Sequence, residues 1–517
     1  MAPPAPLELA YNVSNLNSLQ SRLVVTGGTD SEWVKQLGPT DSLGACGAAC
    51  ASWGGAGLDA AGAALRCRSF TRFGSDYAAN ASLAGLCFGH VDGAWLPLPV
   101  EGGGIDAGTV TWPCATDLDC SLNGKCPPGG GTCACGVGWV GRRCETLNLA
   151  PVDRARLGFD PTSASASGAS GASGASASSL RVVNMSSWGA SVQQINGTWH
   201  MWASVMANKC GISAYLLNSG VVHATSSPLQ GPLGPYSMAA AAAAAADADA
   251  GTGTGQWVLV PFAHEPVVAV APSGELVMAS VTGPVGGTPG ATHSSCECAT
   301  GATAPNCTCR GDNSCVTQTP TLSVAARGAA AGPWRSAPMW PASMGDVRGE
   351  NPSIWIDRNG SLWGASRGGR TSAFAADWKD KATYVRGGPG GAPSSLSGSP
   401  DVEDPFIYQD EDDHFHQLIH SLEGPHMCLG VAGADGLGCL VGVHAYSLDG
   451  TEWLFGGVAY RSVVNTTDGG QLRLNRRERP HLVFAEGTRR PVALSTSAEA
   501  GGAWGDRTFT LVQGIVQ

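Results

Sequence analysis

Five times in its C-terminal two thirds the chain repeats one pattern: a polar residue, a proline, a β-forming run, a tight turn and a second β-run. The segments are WGASVQQINGTWHMWAS (188–204), HEPVVAVAPSGELVMAS (264–280), ENPSIWIDRNGSLWGAS (350–366), EDPFIYQDEDDHFHQLIHS (403–421) and ERPHLVFAEGTRRPVALS (478–495), the first with Gly189 in the proline slot. Eight residues separate that slot from the turn glycine in Gly189→Gly197, Pro266→Gly274 and Pro352→Gly360, and the second run ends at Ser204, Ser280 and Ser366. Two β-runs hinged on Asn-Gly or Ser-Gly read as a hairpin. The spacing between hairpins leaves room for two more strands in each unit, and self-similarity of this kind governs the fold. Five four-stranded units close radially into a mainly β, five-bladed β-propeller, which protects its sheet edges. It is expected over residues 181–517, with insertions at 237–256 and 286–318.

The front of the chain is built differently. It holds most of the 18 cysteines, six of them in CATDLDCSLNGKCPPGGGTCACGVGWVGRRC (114–144). This segment resembles an EGF-like module over residues 112–145, through Cys133, Cys135, Gly138, Trp139, Gly141 and Cys144. The resemblance implies the pairs Cys114–Cys126, Cys120–Cys133 and Cys135–Cys144, one of about fifteen arrangements six cysteines allow. A segment this short cannot bury enough apolar area to fold unaided, so bridges supply the stability. A zinc site is the competing reading of the cysteines. The stretch TVTWP ahead of Cys114 carries no acidic residue, so no calcium is expected. Further forward, Cys46 and Cys50 on an Ala-rich, helix-compatible stretch, then Cys67 in CRSFTRF and Cys87 in LCFGH, resemble a PAN/apple domain within residues 1–100. A generic disulfide-stapled domain is the alternative. Residues 146–180, with SASASGASGASGASASS at 163–179, read as a flexible linker.

Clustered cysteines point to an oxidising compartment, hence to an extracellular or secretory location. Seven Asn-x-Ser/Thr sequons, at Asn12, Asn80, Asn184, Asn196, Asn306, Asn359 and Asn465, agree, although Asn196-Gly197 and Asn359-Gly360 are also turn signals. The N-terminal MAPPAPLELAYNV has neither the basic nor the apolar region of a signal peptide. A net charge of −11 argues against nucleic acid as a partner, and no apolar run is long enough to span a bilayer. The tripeptide Arg310-Gly311-Asp312 lies between Cys309 and Cys315 in the second insertion.

The repeat shape and the acidic-Pro starts resemble the five-bladed propellers of the β-fructosidase superfamily, which includes glycoside hydrolase families 43 and 32. The resemblance implies inner strands that begin near the central axis, with their acidic residues converging on a pocket. Glycoside cleavage uses two carboxyl groups flanking the scissile bond. The catalytic candidates are Glu265, as general acid, with Glu350, Asp404 and its neighbour Glu403; Glu478 holds the matching place in the fifth repeat. Asp404-Pro405 most resembles the family's Asp-Pro, which orients a hydroxyl or tunes a neighbouring acid. Trp188, His264, Arg367, His420, His444 and Arg479 are the substrate-binding candidates. The first repeat departs from the family, with Trp188-Gly189 where the catalytic Asp belongs, and Glu423-Gly424-Pro425 matches a family acid motif in letters only. No metal and no cofactor are assigned. Three functions compete: a hydrolase acting on a polysaccharide, a non-catalytic adhesion or matrix protein binding glycan or protein through its modules, and a scaffold whose propeller binds protein partners.

Overall fold

A computed structural model describes residues 114–154, 186–206, 211, 212, 215, 219–238, 259–261, 263–282, 319–344, 351–397, 402–421, 442–500 and 508–517, with the backbone of seven short strands between residues 9 and 109. The linker core at 163–179, Glu350, Glu423-Gly424-Pro425, Arg310-Gly311-Asp312, the second insertion and the Cys46–Cys50 stretch lie outside those residues. Five of the front strands form one sheet, which includes Ser69–Phe73 and Leu86–His90.

The propeller is present with five blades. Blade 1 runs from its inner strand Ser187–Ile195 through Thr198–Met206 and Ser219–Ser226 to Ser237–Met238. Blade 2 is Ala263–Val270, Leu276–Thr282, Thr319–Ala325 and Arg335–Pro338. Blade 3 is Ser353–Ile356, Leu362–Ser366, Arg370–Ala375 and Tyr384–Arg386. Blade 4 is Val402–Gln409, Phe415–Ser421, Gly442–Ser447 and Glu452–Tyr460. Blade 5 has Gln471–Phe484, Pro491–Ala500 and Phe509–Gly514. Each inner strand touches the next, and that of blade 5 returns to blade 1, closing the ring. Large apolar side chains such as Trp202 and Trp453 fill the space between strands and are fully buried.

The outer edge of blade 5 comes from far upstream. Leu149 bridges Ile515, the Ala150 N–H donates to the Gly514 carbonyl at 2.8 Å, and the Val516 N–H donates to Asn148 at 2.8 Å. Residues 146–152, expected as the start of a linker, are therefore bound to the propeller. Pairing them there covers an edge that would otherwise stay open.

The cysteine-rich segment before them carries three disulfides, Cys114–Cys126, Cys120–Cys133 and Cys135–Cys144. It packs against blade 4. Arg143 donates to the Tyr446 hydroxyl at 2.9 Å, Tyr446 donates to the Leu118 carbonyl at 2.8 Å, and Thr146 donates to the Val458 carbonyl at 2.8 Å.

The two ends of the axis differ in chemistry. At the hairpin-turn end is a cavity of about 760 Å³ lined by apolar Val268, Ile354, Phe406 and Phe484 with Asn196 and Glu486 among its polar residues. That cavity also has Arg327, Asp357, Arg358, Glu411 and Arg489 in its lining, whereas the ionisable residues at the opposite end, among them Glu265, Asp404 and Arg479, are buried.

Candidate functional site at the propeller axis

Each inner strand carries one residue in the left-handed backbone region, within two residues of its start in blades 1 to 4 and inside the long strand of blade 5: Gly189 (φ 53°), Glu265 (62°), Asn351 (58°), Asp404 (58°) and Arg479 (57°). The last four each precede a proline, which has no N–H for the ladder. The ladder slips at this point in blades 1, 2, 4 and 5, between Trp188 and Ala190, His264 and Val267, Glu403 and Phe406, and Glu478 and His481. Such bulges re-aim a side chain. Asn and Asp tolerate the left-handed region, whereas Glu and Arg pay about 1–2 kcal/mol for it, and strain of this kind gathers at functional sites.

The re-aimed side chains meet. The buried Arg479 guanidinium contacts the Glu265 carboxylate through Nη2, and its Nε lies 3.1 Å from Asp404 Oδ1. The Arg479 N–H donates to Asp404 Oδ2 at 3.3 Å, and Asn351 Nδ2 donates to Asp404 Oδ1. Glu265 is set by its own N–H donating to Ser204 Oγ at 2.8 Å and by His264 Nε2, 3.5 Å from Oε1. Ser219 Oγ lies 2.7 Å from the other ring nitrogen of His264. Burial, with Arg479 adding to it, holds His264 well below the usual histidine range, so its imidazole is neutral.

A second group adjoins the first through Asp404. Glu403 has Oε2 3.4 Å from Arg367 and Oε1 3.4 Å from His420 Nδ1. One donor atom each from Glu403, Asp404, His420 and Glu478 all lie within 4.8 Å of one another. Burial and the Glu403 charge push Glu478 up, while burial, Glu403 and Glu478 push Asp404 well above the carboxylate range. At Glu403 burial acts in the same direction, but His420 and Arg367 outweigh it and hold that carboxyl below its ordinary value. The three crowded carboxyl groups are thus shifted in opposite directions, Glu403 down and Asp404 and Glu478 up.

Seven of the ten site candidates read from the sequence come together here: Glu265, Asp404, Glu403, His264, Arg367, His420 and Arg479. Glu350 lies outside the described residues, and its neighbour Asn351 occupies the third blade's position. Trp188 does not enter the ring, because the bulge gives that place to Gly189. Its side chain is 4% exposed and packs with Met206 and Ile212, the Arg476 guanidinium 6.0 Å from its ring. His444 is also elsewhere. It sits on the third strand of blade 4, its ring 4.9 Å from Trp139 and 5.2 Å from His416, between the blade and the cysteine-rich segment. Asn351, Ser204 and Ser219 were missed. The polar residue before proline would have pointed to Asn351; Ser204 was legible only as a strand end.

No family model matches the chain, and no curated protein matches it. Solved structures similar to it include a protein titled glycoside hydrolase, at 11% identity and TM-score 0.37 over 65% of this chain and 88% of that one. Another is the α-L-arabinofuranosidase PaAbf62A from Podospora anserina in complex with cellotriose, at 10% identity and TM-score 0.34 over 73% and 96%. A third is the catalytic domain of the Coprinopsis cinerea GH62 α-L-arabinofuranosidase, at 10% identity and TM-score 0.36 over 64% and 92%. At these values the likenesses carry no assignment of activity.

Proposed function

We propose that this chain is an extracellular modular protein whose propeller takes a carbohydrate at the polar end of its axis and holds it without cleaving it. The observation that carries the reading is Arg479, which contacts both Glu265 and Asp404. A general acid must be free to give up a proton, and a base or nucleophile must be free to attack. A shared guanidinium denies both roles to this pair, and Gly189 adds no carboxylate from blade 1. What remains is a ring of amide, carboxylate and guanidinium groups, which suits hydroxyl-rich ligands because each hydroxyl both donates and accepts. The disulfides are compatible with the extracellular setting. In this reading the cysteine-rich segment is an EGF-like module available for protein contacts.

Hydrolysis is the second reading, favoured by the opposite shifts of Glu403 and Glu478, which resemble a base and an acid. Against it, Glu403 lies 3.4 Å from both Arg367 and His420, which hold its carboxylate in place. A glycan array and a panel of chromogenic glycosides, run on the secreted protein beside Glu265→Gln, Asp404→Asn, Glu403→Gln and Glu478→Gln, separate the two. Binding without turnover supports the proposal. Turnover by the wild type that Glu265→Gln, Glu403→Gln or Glu478→Gln abolishes sinks it.

A further inference from the structure

Glu403, Asp404, Glu478 and His420 bring three carboxyl groups and one imidazole together. Arg479 is shared between Asp404 and Glu265. Arg367 reaches Glu403 only at 3.4 Å, with 46% of its side chain exposed, and Arg476 pairs with Glu499 at 3.2 Å. His420 is 1% exposed, and neither ring nitrogen makes a hydrogen bond among the described residues, Nδ1 standing 3.4 Å from Glu403. A buried imidazole with one ion-pair approach and no hydrogen bond among the described residues is costly, so its presence among carboxylates calls for something to bond.

The spacing says what. Donors on opposite sides of a cation bound at about 2.0–2.4 Å are about 4–4.8 Å apart. The four donor atoms here span no more than 4.8 Å. They also come from two blades: Glu403 faces His420 across the inner hairpin of blade 4, and Glu478 lies at the ladder slip within the inner strand Gln471–Phe484 of blade 5. We propose that these four residues form a divalent cation site, with three carboxylate oxygens and one imidazole nitrogen as ligands, which ties blade 4 to blade 5. The imidazole suits Mn²⁺ or Zn²⁺ better than Ca²⁺, which takes oxygen ligands. The site stands on its own geometry and holds whether or not a carbohydrate binds.

The test uses the full chain, stripped with EDTA and titrated calorimetrically with MnCl₂, ZnCl₂ and CaCl₂. One equivalent of Mn²⁺ or Zn²⁺ is expected, with Ca²⁺ at least tenfold weaker. His420→Gln and Glu478→Gln should each weaken the transition ion at least tenfold. Pulsed electron paramagnetic resonance of the Mn²⁺-loaded wild type, which needs no variant to fold, should register one imidazole nitrogen bound to the ion. Absence of uptake by the wild type, unchanged affinity in both variants, Ca²⁺ binding tighter than Mn²⁺, or a spectrum without nitrogen coupling overturns the proposal.

Discussion

Replacing Arg479 by Met keeps the side-chain volume but removes the cation that Glu265 and Asp404 share. Arg479 is 2% exposed, Asp404 4% and Glu265 7%, so the little water that reaches them replaces only part of the solvation the guanidinium supplied. Breaking a buried ion pair by removing one partner costs about 3–5 kcal/mol. Arg479→Met is expected to lose that much stability at pH 7, read from the midpoint of urea unfolding at constant slope. The loss should shrink in acid. Without Arg479 the two buried carboxyls have folded pKa values above their unfolded ones, so they contribute no penalty below the unfolded values and a growing one as pH rises past them. The triple variant Arg479→Met, Glu265→Gln, Asp404→Asn removes the orphaned charges and should recover most of the loss, because an apolar or neutral replacement of a whole buried network is often close to neutral. A single-variant loss under 1 kcal/mol, or a triple variant no more stable than the single one, would show that the ring is not held by charge.

The remaining predictions address other parts of the molecule. Tyr446→Phe removes the hydroxyl that bonds both Leu118 and Arg143, and should cost about 1–2 kcal/mol and speed proteolytic nicking of the cysteine-rich segment, followed by mass spectrometry. Gly364→Ala would set its Cβ 2.7 Å from the Trp340 ring, an overpacking expected to cost about 1–3 kcal/mol in chemical denaturation. Hydrogen bonds from Lys379 and Ser273 lower Glu275 to about 2, so its contribution to stability is present above its unfolded pKa and is lost as pH falls toward 2. An NMR titration should find that midpoint, and Lys379→Met should move it up toward the ordinary glutamate value.

The propeller was legible because a hairpin needs both a period-two run and a turn residue, and the five repeats supply both. The slot that matters was misplaced by one residue in blade 1. Counting back from the turn aligns Gly189 with the prolines, whereas the backbone aligns it with the residues before them, since Ile195 and Thr198 flank a two-residue turn while Val270 and Leu276 flank five. Left-handed conformation is not written in hydropathy, so Asn351 passed unnoticed beside Glu350. Strand patterning could not tell which neighbour covers His444 on the third strand of blade 4. That neighbour is Trp139, more than 300 positions away and brought in by the segment that completes blade 5. The contact of Arg479 with Glu265 joins blades 5 and 2 across the axis, a meeting fixed by ring closure and not by any local pattern.

The central claim is that the axial ring holds a carbohydrate and leaves it intact. Saturation-transfer NMR on an oligosaccharide selected from the array reads both halves in one tube, binding from the transferred signal and cleavage from new anomeric resonances. The account predicts transfer to the sugar by the wild type, at least tenfold weaker binding by Asp404→Asn, and an unchanged sugar spectrum after prolonged incubation. New anomeric signals that disappear with Glu265→Gln, Glu403→Gln or Glu478→Gln, or binding indifferent to Asp404→Asn, would contradict it.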